Sequence, residues 1–173
     1  MPVQINWQAV GATIFPNIGG LAGGIITKSA LTPWYDGLNK PAWRPPNWAF
    51  GPVWTSLYSG IGYASYLVYR DGGGLDGDAK IPLVVYGSNL LLNWAWTPIF
   101  FGYKRLDLAL YEIQLVNITA IASGILFYKI NPVAGYIFIP YVLWLGVATT
   151  LNYVIWRDNK DSSTATIKEI KTN

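Results

Sequence analysis

Charged side chains cut this chain into long uncharged stretches, at residues 1–27, 45–69, 81–103, 113–128 and 130–156. A helix that crosses the roughly 30 Å of bilayer hydrocarbon needs about 20 mostly apolar residues, and four of the stretches suffice alone. The fourth reaches that length when it is extended back through Glu112 to Leu106. The pattern predicts an all-α membrane protein, a bundle of five transmembrane helices. They are expected over 8–27, 47–69, 81–101, 106–128 and 132–156, with a long loop at 28–46 and a turn rich in Gly and Asp before Lys80. Residues 1–157 form one transmembrane domain, and 158–173 a polar tail expected to fray.

Within the helices the polar and small positions are ordered. Asn89, Asn93, Trp96 and Phe100 recur at spacings that put two amides and two rings on one helical face. Unpaired amides facing lipid are costly, so this stripe is expected to point inward. Gly19, Gly20, Gly23 and Gly24 make two overlapping small-xxx-small pairs, which allow close approach of a helix or of a flat ligand; packing within the bundle is favoured. Pro16, Pro52, Pro98 and Pro140 interrupt four of the helices, and their kinks either simply bend the helices or shape a cavity.

Composition sharpens this reading. Hydrophobic residues make up 52% and charged residues 12%, yet mean hydropathy is only +0.28, because Trp, Tyr, Gly and Pro stand where Leu and Ile would raise it. Those are interface and packing residues. His and Cys are absent, which removes the commonest general base, the commonest metal and haem ligands, and any thiol nucleophile. A net charge of +3 with scattered basic residues does not suggest nucleic acid. Without a basic opening segment or a short leucine-rich core, the amino-terminal apolar stretch reads as a retained helix rather than a secretory signal. Counting basic residues, nine (Lys28, Lys40, Arg44, Lys104, Arg105, Arg157, Lys160, Lys168 and Lys171) share the side of the first loop and the carboxyl tail, against Arg70, Lys80 and Lys129 opposite. That imbalance orients the first loop and tail toward the cytosol.

Trp7, Trp43, Trp48 and Trp156 fall near helix ends, where indoles form the interfacial belt. Trp54, Trp94, Trp96 and Trp144 lie deeper and suit stacking on a flat hydrophobic ligand such as a sterol or tetrapyrrole. Glu112, inside the fourth helix, is a functional candidate by its position, although reach to Lys104 or Arg105 is the favoured reading. Leu151, Tyr153 and Arg157 fit the loose cholesterol pattern, which also arises at Leu31, Tyr35 and Lys40.

The runs WYDGLNKPAWRPPNWAFGPVWTSLYSGIGYASY, LNWAWTPIFFG and PYVLWLGVATTLNYVIWRDN, in this order on five helices, resemble the translocator protein family, known also as the peripheral-type benzodiazepine receptor and the tryptophan-rich sensory protein. The resemblance covers about residues 7–159 and implies a pocket closed by the long first loop. It implies cholesterol, porphyrins and isoquinoline or benzodiazepine-type drugs as ligands. By position the pocket would be lined by Gly24, Thr27, Phe50, Gly51, Val53, Trp54, Asn93, Trp96, Leu115, Trp144, Ala148 and Leu151, with the cholesterol motif on Leu151, Tyr153 and Arg157.

Departures from the family pattern are Leu108 where a tryptophan is usual, Glu112 where an aspartate is common, and Val84 and Ser88 in place of a small-xxx-small pair. The implied role is a non-enzymatic receptor that takes part in sterol or porphyrin transport or signalling. It requires no cofactor, although porphyrin or haem is a possible ligand. Implied partners are membrane lipids, cholesterol and porphyrins, and a homodimer is left open. The alternatives are light- or oxygen-dependent porphyrin breakdown, with Trp54 and Trp144 as the redox-active rings, and a membrane interaction scaffold. The ending WRDN looks more animal than bacterial, implying the mitochondrial outer membrane; a bacterial chain would sit in an envelope membrane.

Overall fold

The computed structural model describes residues 5–172, and their side chains over 5–160. Five long helices carry the fold: α1 (Trp7–Ala30), α2 (Asn47–Asp71), α3 (Lys80–Thr97), α4 (Leu106–Ile130) and α5 (Pro132–Thr172). There is no strand among the described residues. Trp7–Tyr35, Leu106–Ile130 and Pro132–Lys160 are long and apolar enough to cross a membrane. The helix α5 continues unbroken past Arg157, while the tail's side chains from 161 onward lie outside the described residues.

Local chemistry explains the ends. Asn6 caps α1 by accepting the Ala9 amide at 3.1 Å. Lys28 sits in its last turn, where a cation suits the helix dipole, and α1 outruns its expected end at 27. Helical bonding then resumes in a widened turn, Leu31–Tyr35, broken by the extended residue Thr32 (φ −119°, ψ 133°). Between α2 and α3 the chain turns through Gly73 and Gly74 at φ 74° and 72°, a region glycine enters without strain. Pro98 ends α3, and a second widened turn, Pro98–Gly102, leads toward α4. Asn131 separates α4 from α5 and caps α5 by accepting the Ala134 amide at 3.0 Å.

The helices close a ring. The α4–α5 contact is the most extensive, followed by α1–α2, α3–α4 and α2–α5, and α1 also touches α3. Close approach depends on glycine where α1 crosses α2, a Cβ on Gly62 standing 2.3 Å from the Ala12 carbonyl oxygen, and where α5 meets α4, a Cβ on Gly135 standing 2.7 Å from the Tyr128 Cα. Pro16, inside α1, has no N–H to offer the Ala12 carbonyl, which is the one that faces Gly62.

Inside the ring Tyr58, Ile61, Val68, Leu90, Val116, Phe127, Phe138, Tyr141 and Leu145 form the main core. Tyr35, Phe100, Leu106, Ala109, Leu151 and Ile155 form a smaller one at the end bearing the first loop. The outside is an apolar belt that includes Leu21, Ile81, Leu91, Ile118 and Leu143, each more than 60% exposed.

Candidate functional site

Between the two cores lies a cavity of about 700 Å³, within the roughly 300–1,000 Å³ typical of small-molecule sites. Gly24 and Thr27 of α1, Phe50, Gly51 and Trp54 of α2, Asn93 and Trp96 of α3, and Ala148 and Leu151 of α5 all line it. Tyr35, Tyr58, Phe100, Ile113, Leu145 and Asn152 line it as well, residues the sequence reading had not singled out as wall.

Three expected positions lie elsewhere. Leu115 is 51% exposed on the outer face of α4, because Ile113 and Val116 already hold the inward positions and a residue between them is turned away. Val53 is half-buried but sits round α2 from the wall residues Phe50 and Trp54. Trp144 backs the wall: its ring meets Phe50 edge-on at 5.7 Å, and its buried indole N–H has no hydrogen-bond partner.

The motif at the end of α5 is divided in the same way. Leu151 is buried in the cavity wall, whereas Tyr153 is 44% exposed against Trp156 and Arg157 pairs with Asp158 at 2.7 Å. Two residues along a helix are turned by about 200°, so Leu151 and Tyr153 do not share a face.

The polar floor of the cavity is one chain of hydrogen bonds through four helices. Tyr58 on α2 donates to the Asn93 amide oxygen at 2.9 Å, and the Asn93 amide nitrogen donates to the Tyr141 hydroxyl on α5 at 2.7 Å. Tyr141 donates to the Asn89 amide oxygen at 2.9 Å, and Asn89 donates to the Val116 carbonyl and the Thr119 hydroxyl on α4. The inward stripe on α3 is therefore real, and its amides tie α3 to α2, α4 and α5. Asn93 keeps one amide hydrogen and one oxygen lone pair beyond these bonds, enough to orient a polar group at the cavity wall. Nearby, Trp96 stacks on Phe100 at 4.7 Å and donates to Asn152 at 3.1 Å.

Of the other deep tryptophans, Trp54 lies on the wall beside Tyr58 at 5.3 Å. Trp94 is structural: it donates to the Pro16 carbonyl at 3.1 Å and fills the space under Gly19, where a Cβ would overlap the indole.

The first loop covers the end of the cavity. Trp34 and Tyr35 pack on Phe100 and Phe101 with ring centroids 5.4–6.4 Å apart. The Lys40 ammonium donates to the carbonyls of Tyr35, Asp36 and Leu38, and burial together with the neighbouring Arg44 lowers its pKa from the usual lysine value. The loop is then fastened to α5: the Asn39 amide donates to the Asn159 side chain at 2.9 Å, and Asn159 donates back to the Asn39 carbonyl at 3.0 Å.

Replacing Asn159 by leucine removes bonds worth about 1 kcal/mol each. Amide hydrogen exchange across 34–40 is then expected to accelerate about tenfold or more. Unchanged protection there would show that the aromatic contacts alone hold the loop.

Glu112 is 8% exposed and both carboxylate oxygens lack hydrogen-bond partners, so the expected bridge to Lys104 or Arg105 is not made. Arg105 instead grips Asp107 with two bonds of 2.9 and 2.7 Å, a bidentate pairing nearer at hand. Lys104 lies over the Trp34 ring at 5.6 Å.

A ring of long helices with an apolar exterior, and an aromatic cavity floored by amides under a fastened loop, is the architecture of a helical membrane protein. The model of the TspO/MBR family matches residues 12–157, and this chain belongs to that family. It is 45% identical to the translocator protein of Homo sapiens over 151 residues, which cover 87% of this chain and 89% of the relative. It is 39% identical to the tryptophan-rich sensory protein of Cereibacter sphaeroides over 126 residues, covering 73% and 77%. Protein CrtK of Rhodobacter capsulatus is 34% identical over 86% of this chain and 90% of its own. Membership of the family makes this a membrane protein, and the exposed apolar belt is its lipid-facing surface.

Proposed function

We propose that this protein is a membrane receptor that holds one flat apolar molecule, a porphyrin or a sterol, in the cavity and takes part in its movement or in signalling its level. The observation that carries the reading is the cavity itself, of about 700 Å³, walled by Trp54, Trp96, Phe50 and Phe100. Rings of this kind stack on a flat ligand, and the spare hydrogen-bonding capacity of Asn93 meets its polar edge. The partnerless indole N–H of Trp144, just behind Phe50, is a second donor that a ligand carbonyl or carboxylate could satisfy after a small ring movement.

Binding rather than turnover is favoured because the buried polar side chains at the wall, Tyr58, Asn93 and Asn152, are already engaged in hydrogen bonds. A porphyrin would be held by its ring and its carboxylates, since a chain without His and Cys lacks the usual axial ligands for a bound iron. With Tyr153 and Arg157 outside the cavity, the reading assigns a sterol to the aromatic wall and leaves those two residues to the lipid interface.

In the membrane, all five helices span, with the first loop and carboxyl tail on the cytosolic side, as the distribution of basic residues favours. An animal chain would lie in the mitochondrial outer membrane and a bacterial one in an envelope membrane.

Titration of purified protein in lipid nanodiscs with protoporphyrin and with cholesterol, in the dark, tests the reading. Saturation at one molecule per chain is expected for at least one of them. If neither saturates while the protein keeps its helical circular dichroism, the receptor reading is wrong.

A further inference from the structure

Helices α1 and α2 are bound to each other over only part of their length. Gly62 lies against the Ala12 carbonyl, Asn17 donates to the Ser59 hydroxyl at 3.2 Å, and Gly20 lies against the Tyr58 ring. Farther along, α1 keeps to α3: a Cβ on Gly23 would meet Thr97 at 3.2 Å, and Ile26 stands beside Gly102. In the direction of the first loop the two helices therefore part. Gly24 on α1 and Gly51 on α2 both line the cavity, both are exposed, and nothing stands within 4 Å of where either Cβ would be.

Apart from proline, glycine is the poorest helix former, and neither packing nor a positive φ requires it at these two positions. Leu21 and Ile25, each 75% exposed, belong to the same wall, so the cavity here faces the lipid-side surface. The end under the first loop is shut by contrast, with Trp34 and Tyr35 seated on Phe100 and Phe101 and Asn39 bonded to Asn159.

We propose that the gap between α1 and α2 at Gly24 and Gly51 is a lateral portal, through which the ligand passes between bilayer and cavity while the first loop stays closed. The proposal rests on the reading that the cavity takes a flat apolar molecule. Such a molecule already resides in the hydrocarbon, and a side entrance spares it exposure to water. Glycine at the two rims keeps the passage clear of side chains.

Stopped-flow quenching of tryptophan fluorescence by protoporphyrin in nanodiscs tests the portal. Gly24→Leu and Gly51→Leu are each expected to slow association and also to slow release, by about tenfold. The release rate is decisive, because a leucine that merely crowded the bound ligand would speed release rather than slow it. Gly146→Leu, at an exposed position on α5 with open space around it, is the control and leaves both rates as they were. Release accelerated by Asn159→Leu and untouched by the two portal leucines would overturn the proposal in favour of a route through the loop.

A second readout needs no porphyrin. The chain has no cysteine, so Ala148→Cys puts a single thiol on the cavity wall. N-phenylmaleimide dissolved in the lipid is expected to label that thiol, and to do so several-fold more slowly when Gly51→Leu is added. Labelling at the same rate in both proteins would overturn the portal. If labelling slows but protoporphyrin does not bind wild type, the portal stands and the ligand assignment fails.

Discussion

Gly62→Ala is expected to destabilise the bundle by about 2–3 kcal/mol, although alanine ordinarily strengthens a helix by up to about 1 kcal/mol relative to glycine. The added methyl would stand 2.3 Å from the Ala12 carbonyl oxygen and 3.0 Å from the Thr13 Cα, both backbone atoms that no rotamer change can move aside. Relief requires α1 to back away from α2. That movement strains the Asn17–Ser59 bond, the bond from Asn6 to Tyr66 and the seating of Gly20 on Tyr58. For a domain of this size each kcal/mol moves the melting midpoint by about 2–4 °C, so a fall of about 5–10 °C is expected. Gly146→Ala, with open space around its Cβ, is expected to hold or slightly raise it. A melting temperature for Gly62→Ala at or above wild type would mean that the α1–α2 crossing is looser than described here.

The largest effect on binding is expected from Trp54→Ala. The indole lies on the cavity wall and is braced by Tyr58 at 5.3 Å and Tyr141 at 6.4 Å, so it meets a ligand already ordered. Loss of a braced aromatic anchor typically costs about 2–3 kcal/mol of binding, which is a 30- to 150-fold weaker Kd. Trp54→Phe keeps a ring in place and is expected to lose much less. Protoporphyrin titration measures both, with circular dichroism to verify the fold. An affinity within threefold of wild type for Trp54→Ala would remove Trp54 from the site.

The helices were legible because their causes are local. Lipid-facing segments exclude charge, so the gaps between charged residues mark α1 to α3 closely, whereas α4 begins at Leu106, before its gap, and α5 runs on past its gap to Thr172. The inward stripe of α3 was legible for a related reason: two amides on one face of an apolar helix need partners, and those partners can only be inside. What the partners are was not legible. Tyr58, Tyr141 and Thr119 become the mates of Asn93 and Asn89 only once four helices are arranged around them.

The fastening of Asn39 to Asn159 joins positions 120 apart, with no pattern in either segment to announce it. Leu115 shows the limit of transferring positions by resemblance, since a neighbour of two wall residues can still face lipid. Glu112 shows the limit of reading ion pairs from proximity along the chain, since Asp107 takes the arginine first. Among the helix-one glycines, Gly19, Gly20 and Gly23 pack against neighbours as favoured, and Gly24 does not. The sequence could not separate them, because the difference lies in where α1 and α2 diverge.

Ala148→Phe and Leu143→Phe, on the same helix, pose the central question most directly. Ala148 lines the cavity, while Leu143 is 68% exposed on the lipid-facing side. Each substitution places a phenyl ring on α5, and only the first places it where the ligand is held. In parallel dark titrations with protoporphyrin in nanodiscs, saturable binding is expected to survive in Leu143→Phe at wild-type affinity and to weaken at least about tenfold in Ala148→Phe, a difference of about 1.4 kcal/mol. Equal binding by the two proteins, both folded, would contradict the claim that the cavity enclosed by the five helices is the ligand site.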